Sequence, residues 1–130
     1  MSRTLGIRVG NPNIIQDTRD NLIKMKKMDM SLSQEDQNIT AMKSFAQFFV
    51  TKSLQMSKEN WINTDIESIW QETKRDNIVI NIRFKSKNDI AKINSHKKHL
   101  TNNAKNNVYQ YVSGPLLSRY IAWETAGYKI

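Results

Sequence analysis

The sequence predicts a small single-domain α+β sandwich, in which helices pack on one face of a short sheet of about three strands. Residues 78–84 carry an apolar side chain at every second position, with Asn81 and Arg83 between them, a pattern typical of a strand with one face on a core and the other in water. Residues 33–56 instead repeat apolar side chains at spacings of three and four, a pattern typical of an amphipathic helix.

The N-terminal part is predicted to contribute a strand and a weak helix before that clear helix. Apolar and polar or small residues alternate from residue 5 to residue 9, which indicates a short first strand. A helical pattern then covers residues 14–29, and its Met- and Lys-rich end is either a frayed helix or a flexible connection. We therefore expect one domain, residues 1–130, in which residues 1–30 are loosely attached and residues 33–130 form the compact core.

A second capped helix is predicted to start at Thr64. Thr64 and Glu67 match a capping box, in which Glu67 caps the first turn, and Glu72 would lie on the solvated face. The residues assigned to the inward side of this helix are Ile66, Ile69 and Trp70.

The C-terminal half is predicted to place its most basic segment next to the central strand. Ile78, Ile80, Ile82 and Phe84 would face the core, and Asn81, Arg83 and Lys85 would face water. Ser86 would cap a basic helix over Lys87–Leu100, with Ile90 and Ile93 inward. An exposed loop, a strand over Val108–Val112 and a last helix over Leu116–Thr125 complete the predicted order.

The charge of the chain points to a polyanionic partner. Twenty Lys and Arg residues against 12 Asp and Glu give a net charge of +8 and a pI near 9.8. The segment from Arg83 to Lys105 holds seven of these basic residues against a single acid, Asp89. A competing explanation is compositional drift, since the chain is also rich in Lys, Asn and Ile, as coding sequences of AT-rich genomes tend to be.

Several classes of protein are disfavoured by the sequence. The absence of cysteine excludes disulfides and thiolate metal sites, and no apolar run approaches the roughly 20 residues that span a bilayer. No Gly-rich phosphate loop is present, and the predicted central strand carries no acid for metal-dependent chemistry. His96 and His99 are either a weak metal pair, opposed by the surrounding lysines, or two exposed side chains. We expect an intracellular protein that is not an enzyme, with no metal, no cofactor and no membrane partner.

The remaining pattern, basic residues interleaved with aromatic ones, is typical of nucleic-acid binding. The predicted phosphate-binding residues are Arg83, Lys85, Lys87, Lys92, Lys97, Lys98 and Lys105. Tyr109 and Tyr111 share one strand face and would stack bases if that face is open. They would instead belong to the core if Val108 and Val112 face outward. The expected ligand is RNA or single-stranded DNA, bound with little sequence preference.

An alternative function is that of a structural or interaction protein, such as a virion component or an inhibitor of a host factor. Its basic face would then dock on an acidic protein surface. The C-terminal segment Trp123–Ile130 holds Trp123, Tyr128 and Ile130, which could anchor a protein partner or a second copy of the chain. Trp123 could equally cover the edge of the core.

Four motifs in the C-terminal half carry a resemblance to a known family. They are the strand Ile78–Ser86, the helix end His96–Leu100, the strand Val108–Tyr111 and the helix start Leu116–Tyr120. Over residues 78–126 the chain resembles the C-terminal domain of baculovirus few-polyhedra proteins and the first open-reading-frame proteins of some retrotransposons. The resemblance implies a viral or mobile-element origin and a compact α+β domain. For such a protein we expect location in the cytoplasm or nucleus of the host, or association with the virion. It further implies binding to single-stranded nucleic acid, with the matching basic positions Arg83, Lys85, Lys97, Lys98 and Arg119.

Overall fold

A computed structural model describes residues 3–9, 12–73 and 78–96. Three strands and four helices follow in the order β1 (Thr4–Val9), α1 (Ile14–Lys24), α2 (Gln34–Lys52), α3 (Lys58–Ile62), β2 (Ile66–Thr73), β3 (Ile78–Phe84) and α4 (Lys87–Ser95). The strands form one antiparallel sheet in the order β1-β3-β2. This architecture confirms the predicted small α+β domain and the central position of the strand over residues 78–84.

The core lies between one face of the sheet and the helices. Every second residue of β3 is fully buried on this face, as the alternation predicted: Ile78, Ile80, Ile82 and Phe84. Apolar side chains from all four helices join the same cluster, among them Ile14, Phe45, Phe49, Trp61, Ile90 and Ile93. Leu5, Ile7 and Val9 of β1 also belong to it, so the N-terminal strand contributes to the same core as the rest of the described chain.

Serine hydroxyls begin three of the helices. Ser33 accepts a hydrogen bond from the backbone N–H of Asp36 at 3.1 Å, which confirms the predicted start of α2. Ser86 accepts from the N–H of Asn88 at 3.1 Å and begins α4 at the predicted residue. Ser57 caps the short helix α3, which the sequence did not predict. Each of these bonds satisfies an N–H group that has no partner within its helix.

Helix α1 ends five residues before the predicted limit at Asp29. Its last turn closes as a Schellman motif, in which the N–H of Lys27 bonds to the carbonyl of Leu22 at 2.8 Å and that of Lys26 to Ile23 at 3.0 Å. Lys26 adopts the required left-handed conformation, with a φ of 59°. The chain after it turns back so that Met28 packs with Leu22 in a small second cluster.

The connection between α1 and α2 is organised by Asp29. Ser31 donates both its hydroxyl, at 2.6 Å, and its backbone N–H, at 2.9 Å, to one carboxylate oxygen of Asp29. These two bonds favour the charged form and hold the pKa of the Asp29 carboxyl below its ordinary value. The segment that the sequence left as a frayed helix or a flexible connection is therefore a defined turn.

The helix predicted from Thr64 is wrong, because residues 66–73 form the edge strand β2. The Thr64 hydroxyl bonds back to the carbonyl of Trp61 at 2.6 Å instead of capping a following turn. Ile69 is buried as predicted, but Trp70 points away from the core and is 37% exposed. Glu67 and Glu72 therefore lie on a strand next to β3, so the predicted role of Glu67 as a helix cap is wrong, and Glu72 is exposed as predicted but on a strand.

The described part of the chain contains no helix that is both long enough and apolar enough to cross a bilayer. Helix α4 ends at Ser95, with His96 as its C-cap, five residues before the predicted limit at Leu100. The predicted strand Val108–Val112, the predicted helix Leu116–Thr125 and the segment Trp123–Ile130 lie outside the described residues.

Candidate nucleic-acid interface

The sheet face opposite the helices brings an aromatic side chain next to a cation. In the register of the sheet, Trp70 of β2 lies directly across from Asn81 of β3, and Asn81 pairs on its other side with Gly6 of β1. Ser68 pairs with Arg83 in the neighbouring row. Because paired residues point to the same side of a sheet, Trp70 and Arg83 share one face and lie diagonal to each other.

Asn81 is fixed in the middle of this face. The prediction that Asn81 faces water is wrong, since the residue is only 8% exposed, and its Nδ2 donates a 2.8 Å hydrogen bond to Oε1 of Glu72 on the adjacent strand. A buried amide needs such a partner, since an unpaired polar group out of water destabilises the fold. The pair therefore ties β2 to β3 beside Trp70.

Arg83 forms an ion pair with Glu67, a residue that was predicted to lie on a helix and not on the sheet. Oε2 of Glu67 lies 2.9 Å from Nε of Arg83, and the two side chains are 42% and 47% exposed. A β-bulge between Ile66 and Ser68 adds Glu67 as an extra residue of β2 at this level. An exposed pair of this kind contributes about 0–1 kcal/mol to stability, so its main effect is to orient the guanidinium.

Lys85 lies at the junction of β3 and α4, where three segments meet. Its ammonium is 3.8 Å from Oδ1 of Asp65, and both side chains are well exposed. Its backbone N–H bonds to the carbonyl of Asp65 at 2.9 Å, and its carbonyl accepts a 3.0 Å bond from Nη1 of Arg3. The N–H of Asp65 in turn donates to the Asp89 carboxylate at 3.0 Å. Arg3 is thereby added to the cations of this edge.

The remaining described candidates lie on α4. Lys87 and Lys92 are both exposed. Lys87 is the first residue of the helix, directly after the Ser86 cap, so the basic run passes from the sheet onto the helix without interruption. The other predicted site residues lie outside the described part of the chain: Lys97, Lys98, Lys105, Tyr109, Tyr111 and Arg119.

The histidine pair is described only for its first member. His96 is partly buried, and its Nδ1 lies 3.1 Å from the carbonyl oxygen of Leu54, which ties the end of α4 to the end of α2. His99 lies outside the described residues. Within the described ranges no three His, Asp or Glu side chains come close enough together to hold a metal ion.

Sequence reasoning missed four residues of this site: Trp70, Glu67, Asp65 and Arg3. The first three were assigned to a helix, with Asp65 and Glu67 in its first turn and Trp70 on its inward side, so a place for them on the open face of the sheet was not predicted. The aromatic and β-branched content of residues 66–73 was the available signal for a strand. The described part of the site is a mixed surface, with the exposed aromatic ring of Trp70, cations on β3, on α4 and in the segments next to the strands, and two carboxylates paired with cations. Such a surface can bind an anion beside a stacking platform.

Comparison with protein-family models, with curated proteins and with solved structures finds no match for this chain.

Proposed function

We propose that this protein is a non-enzymatic nucleic-acid-binding protein that takes single-stranded RNA or DNA on the open face of its sheet, with little sequence preference. The observation that carries the proposal is the exposed ring of Trp70 on the same face as Arg83. A base stacked on Trp70 would bring its phosphate towards Arg83 and Lys85. Stacking of this kind tolerates any base, because every base has a π-face.

The carboxylates beside the cations reduce, but do not remove, the attraction for phosphate. Glu67 contacts Arg83 at Nε, and a guanidinium has five N–H donors with which to hold further acceptors. The Lys85–Asp65 contact, at 3.8 Å between exposed groups, is weak enough for a phosphate to replace. Lys87 and Lys92 take part in no described ion pair and extend the cationic strip along α4.

The resemblance of residues 78–126 to retrotransposon first open-reading-frame proteins supports the same proposal. It matches Arg83 and Lys85 to basic positions of those proteins, together with Lys97, Lys98 and Arg119. On this basis we infer that the protein is of viral or mobile-element type.

The test is fluorescence anisotropy with labelled single-stranded RNA, single-stranded DNA and duplex DNA over a range of salt. We expect single strands to bind more tightly than the duplex, with log affinity falling linearly with log salt, because bound cations release counterions. Trp70→Leu should weaken single-strand binding by about 1–3 kcal/mol, whereas Trp70→Phe, which keeps a ring, should retain most of it. Equal affinities of these two variants would remove the stacking platform from the interface.

Charge-reversal variants provide a second test of the proposed binding surface. Lys85→Glu should weaken binding strongly and flatten the salt dependence, since it replaces a phosphate contact with a repulsion. Lys58→Glu makes the same change in net charge at the exposed start of α3, where a negative charge is favoured by the helix dipole. If both variants bind equally, only the net charge of the chain matters, and the assigned surface is wrong.

A protein partner is the second candidate function, favoured by the carboxylates paired with Arg83 and Lys85. A surface of alternating charges suits another protein better than a uniformly negative strand does. Absence of binding to any of the three nucleic acids at low salt would select this candidate. Protein pull-downs with the intact chain would then replace the anisotropy experiment.

A further inference from the structure

A cleft on the helical side of the molecule has features that the proposed function does not use. It lies where the end of α1, the middle of α2, helix α3 and the start of β2 meet, and it encloses about 440 Å³. Trp61, Ile62 and Ile66 form most of its apolar floor, with Leu22 at one end. Because Ile66 and Ile69 point to the helices and Trp70 does not, this cleft lies on the other side of the sheet from the candidate nucleic-acid interface.

The floor of the cleft is held by contacts with the core but is not fully covered. The Trp61 ring is buried edge-on against Phe84, with 6.2 Å between ring centroids, and the Thr64 hydroxyl holds the carbonyl of Trp61. Ile62, on the next position of α3, is 61% exposed. A fixed aromatic base beside an exposed aliphatic side chain resembles the centre of a protein interface, where apolar anchors fill preformed pockets.

The rim of the cleft is cationic. Lys27, in the turn after α1, and Lys43 of α2 line it, and no Asp or Glu among the described residues does so. Neither lysine takes part in a described ion pair. Lys27 is held in place by the Schellman motif at the end of α1, whose bond to Leu22 fixes its backbone at the cleft edge. An occupant that brings carboxylates to this rim gains charge complementarity.

The cleft continues along β2, which gives it the shape of a groove. A second depression of about 310 Å³ shares Lys43 and Ile66 with the first and extends to Ile39 and Ile69. Its single carboxylate among the described residues, Glu67, is paired with Arg83. An elongated, open groove with an apolar floor suits a peptide segment better than a compact small molecule, which prefers an enclosed pocket.

We propose that this groove binds an amphipathic acidic segment of a partner protein. Apolar side chains of the segment would pack on Trp61, Ile62 and Ile66, and its Asp or Glu side chains would pair with Lys27 and Lys43. The proposal does not rest on nucleic-acid binding by the opposite sheet face. Specificity comes from requiring both an apolar anchor and a carboxylate within reach of each other.

The test is selection of a random 12-residue peptide library, displayed on phage, against the intact chain at 150 mM salt. The selected peptides, synthesised with a fluorescent label, are then measured by anisotropy. We expect the enriched sequences to combine Leu, Phe or Trp with Asp or Glu. Their affinity should fall at least tenfold in Ile62→Glu and in Lys43→Glu.

Matched control variants test whether the loss of peptide affinity is specific to residues of the groove. Met30 is also 61% exposed and does not line the groove, so Met30→Glu should leave peptide affinity unchanged. Lys52→Glu makes the same charge change as Lys43→Glu, on the same helix but outside the groove. Trp70→Leu should also leave peptide binding intact, which keeps this test independent of the nucleic-acid proposal.

Three results of the peptide experiment would overturn the proposal. They are no enrichment, enriched peptides without acidic residues, and equal losses of affinity in the groove variants and their controls. Self-association of the chain that Ile62→Glu abolishes would assign the groove to a second copy instead, and would likewise overturn it.

Discussion

At the scale of single residues, the least favourable backbone conformation among the described non-glycine residues is shared by Lys26 and Gln55. Both have a positive φ, of 59° and 56°, in the left-handed region that glycine adopts at no steric cost. Lys26 ends α1 in the position of the Schellman motif that glycine usually fills. We expect Lys26→Gly to raise the free energy of unfolding by about 0.5–1 kcal/mol, measured by urea denaturation.

The matched control for this substitution is Lys24→Gly. It also replaces one exposed lysine by glycine, but within the last turn of α1, where φ is helical. We expect it to lower the free energy of unfolding by up to about 1 kcal/mol, because glycine is a poor helix former. A stabilisation by both variants would point to relief of charge repulsion rather than of backbone strain.

At the scale of elements, the strand β2 shows how local spacing misled the prediction. Ile66 and Ile69 are three residues apart, as on one side of a helix, yet they pair with Phe84 and Ile82, which are two apart on β3. The bulge that inserts Glu67 accounts for the difference. The pairing of this segment with β3 makes it a strand, and the apolar spacing within residues 66–73 does not reveal that pairing. By contrast every second residue of β3 is apolar over its whole length, and α2 has a capping serine, so both were predictable.

The residues of the candidate site likewise fall into those that the sequence predicts and those that it does not. The outward positions of Arg83 and Lys85 follow from the alternation in β3 alone, and both side chains are exposed. Their carboxylate partners and the ring of Trp70 come from β2 and the segment before it, so they could not be assigned once β2 was taken for a helix. The local alternation in the sequence thus predicted the cations Arg83 and Lys85. The Trp70 ring and the carboxylates of Glu67 and Asp65 join them only through the pairing of β2 with β3.

The pairing of β2 with β3 makes a further prediction at Glu72. Glu72→Ala removes the acceptor of the buried Asn81 amide and is expected to lower the free energy of unfolding by about 1–2 kcal/mol in urea denaturation. Glu72→Gln keeps a carbonyl oxygen in the same place and should remain within about 0.5 kcal/mol of the parent chain. Equal losses in the two variants would mean that the charge of Glu72, not its bond to Asn81, stabilises the sheet.

At the scale of the whole molecule, the two strand pairings that build the sheet differ greatly in sequence separation. β2 and β3 follow each other with only residues 74–77 between them, whereas β1 joins β3 from the far end of the described chain, with Thr4 paired to Arg83. Bringing distant segments together costs more conformational entropy before any contact forms. We therefore infer that the β2–β3 pair forms early in folding and that β1 is added after the transition state.

Two conservative substitutions on the buried face test this order. Ile69→Val in β2 and Ile7→Val in β1 each remove one methyl group from a buried side chain and should cost about 0.5–1.5 kcal/mol. In stopped-flow urea experiments, Ile69→Val should mainly slow folding, and Ile7→Val should mainly accelerate unfolding, by up to about fivefold for a loss of 1 kcal/mol. If Ile7→Val slows folding as much as Ile69→Val does, β1 is already paired in the transition state. Sequence separation would then not set the order in which this sheet assembles.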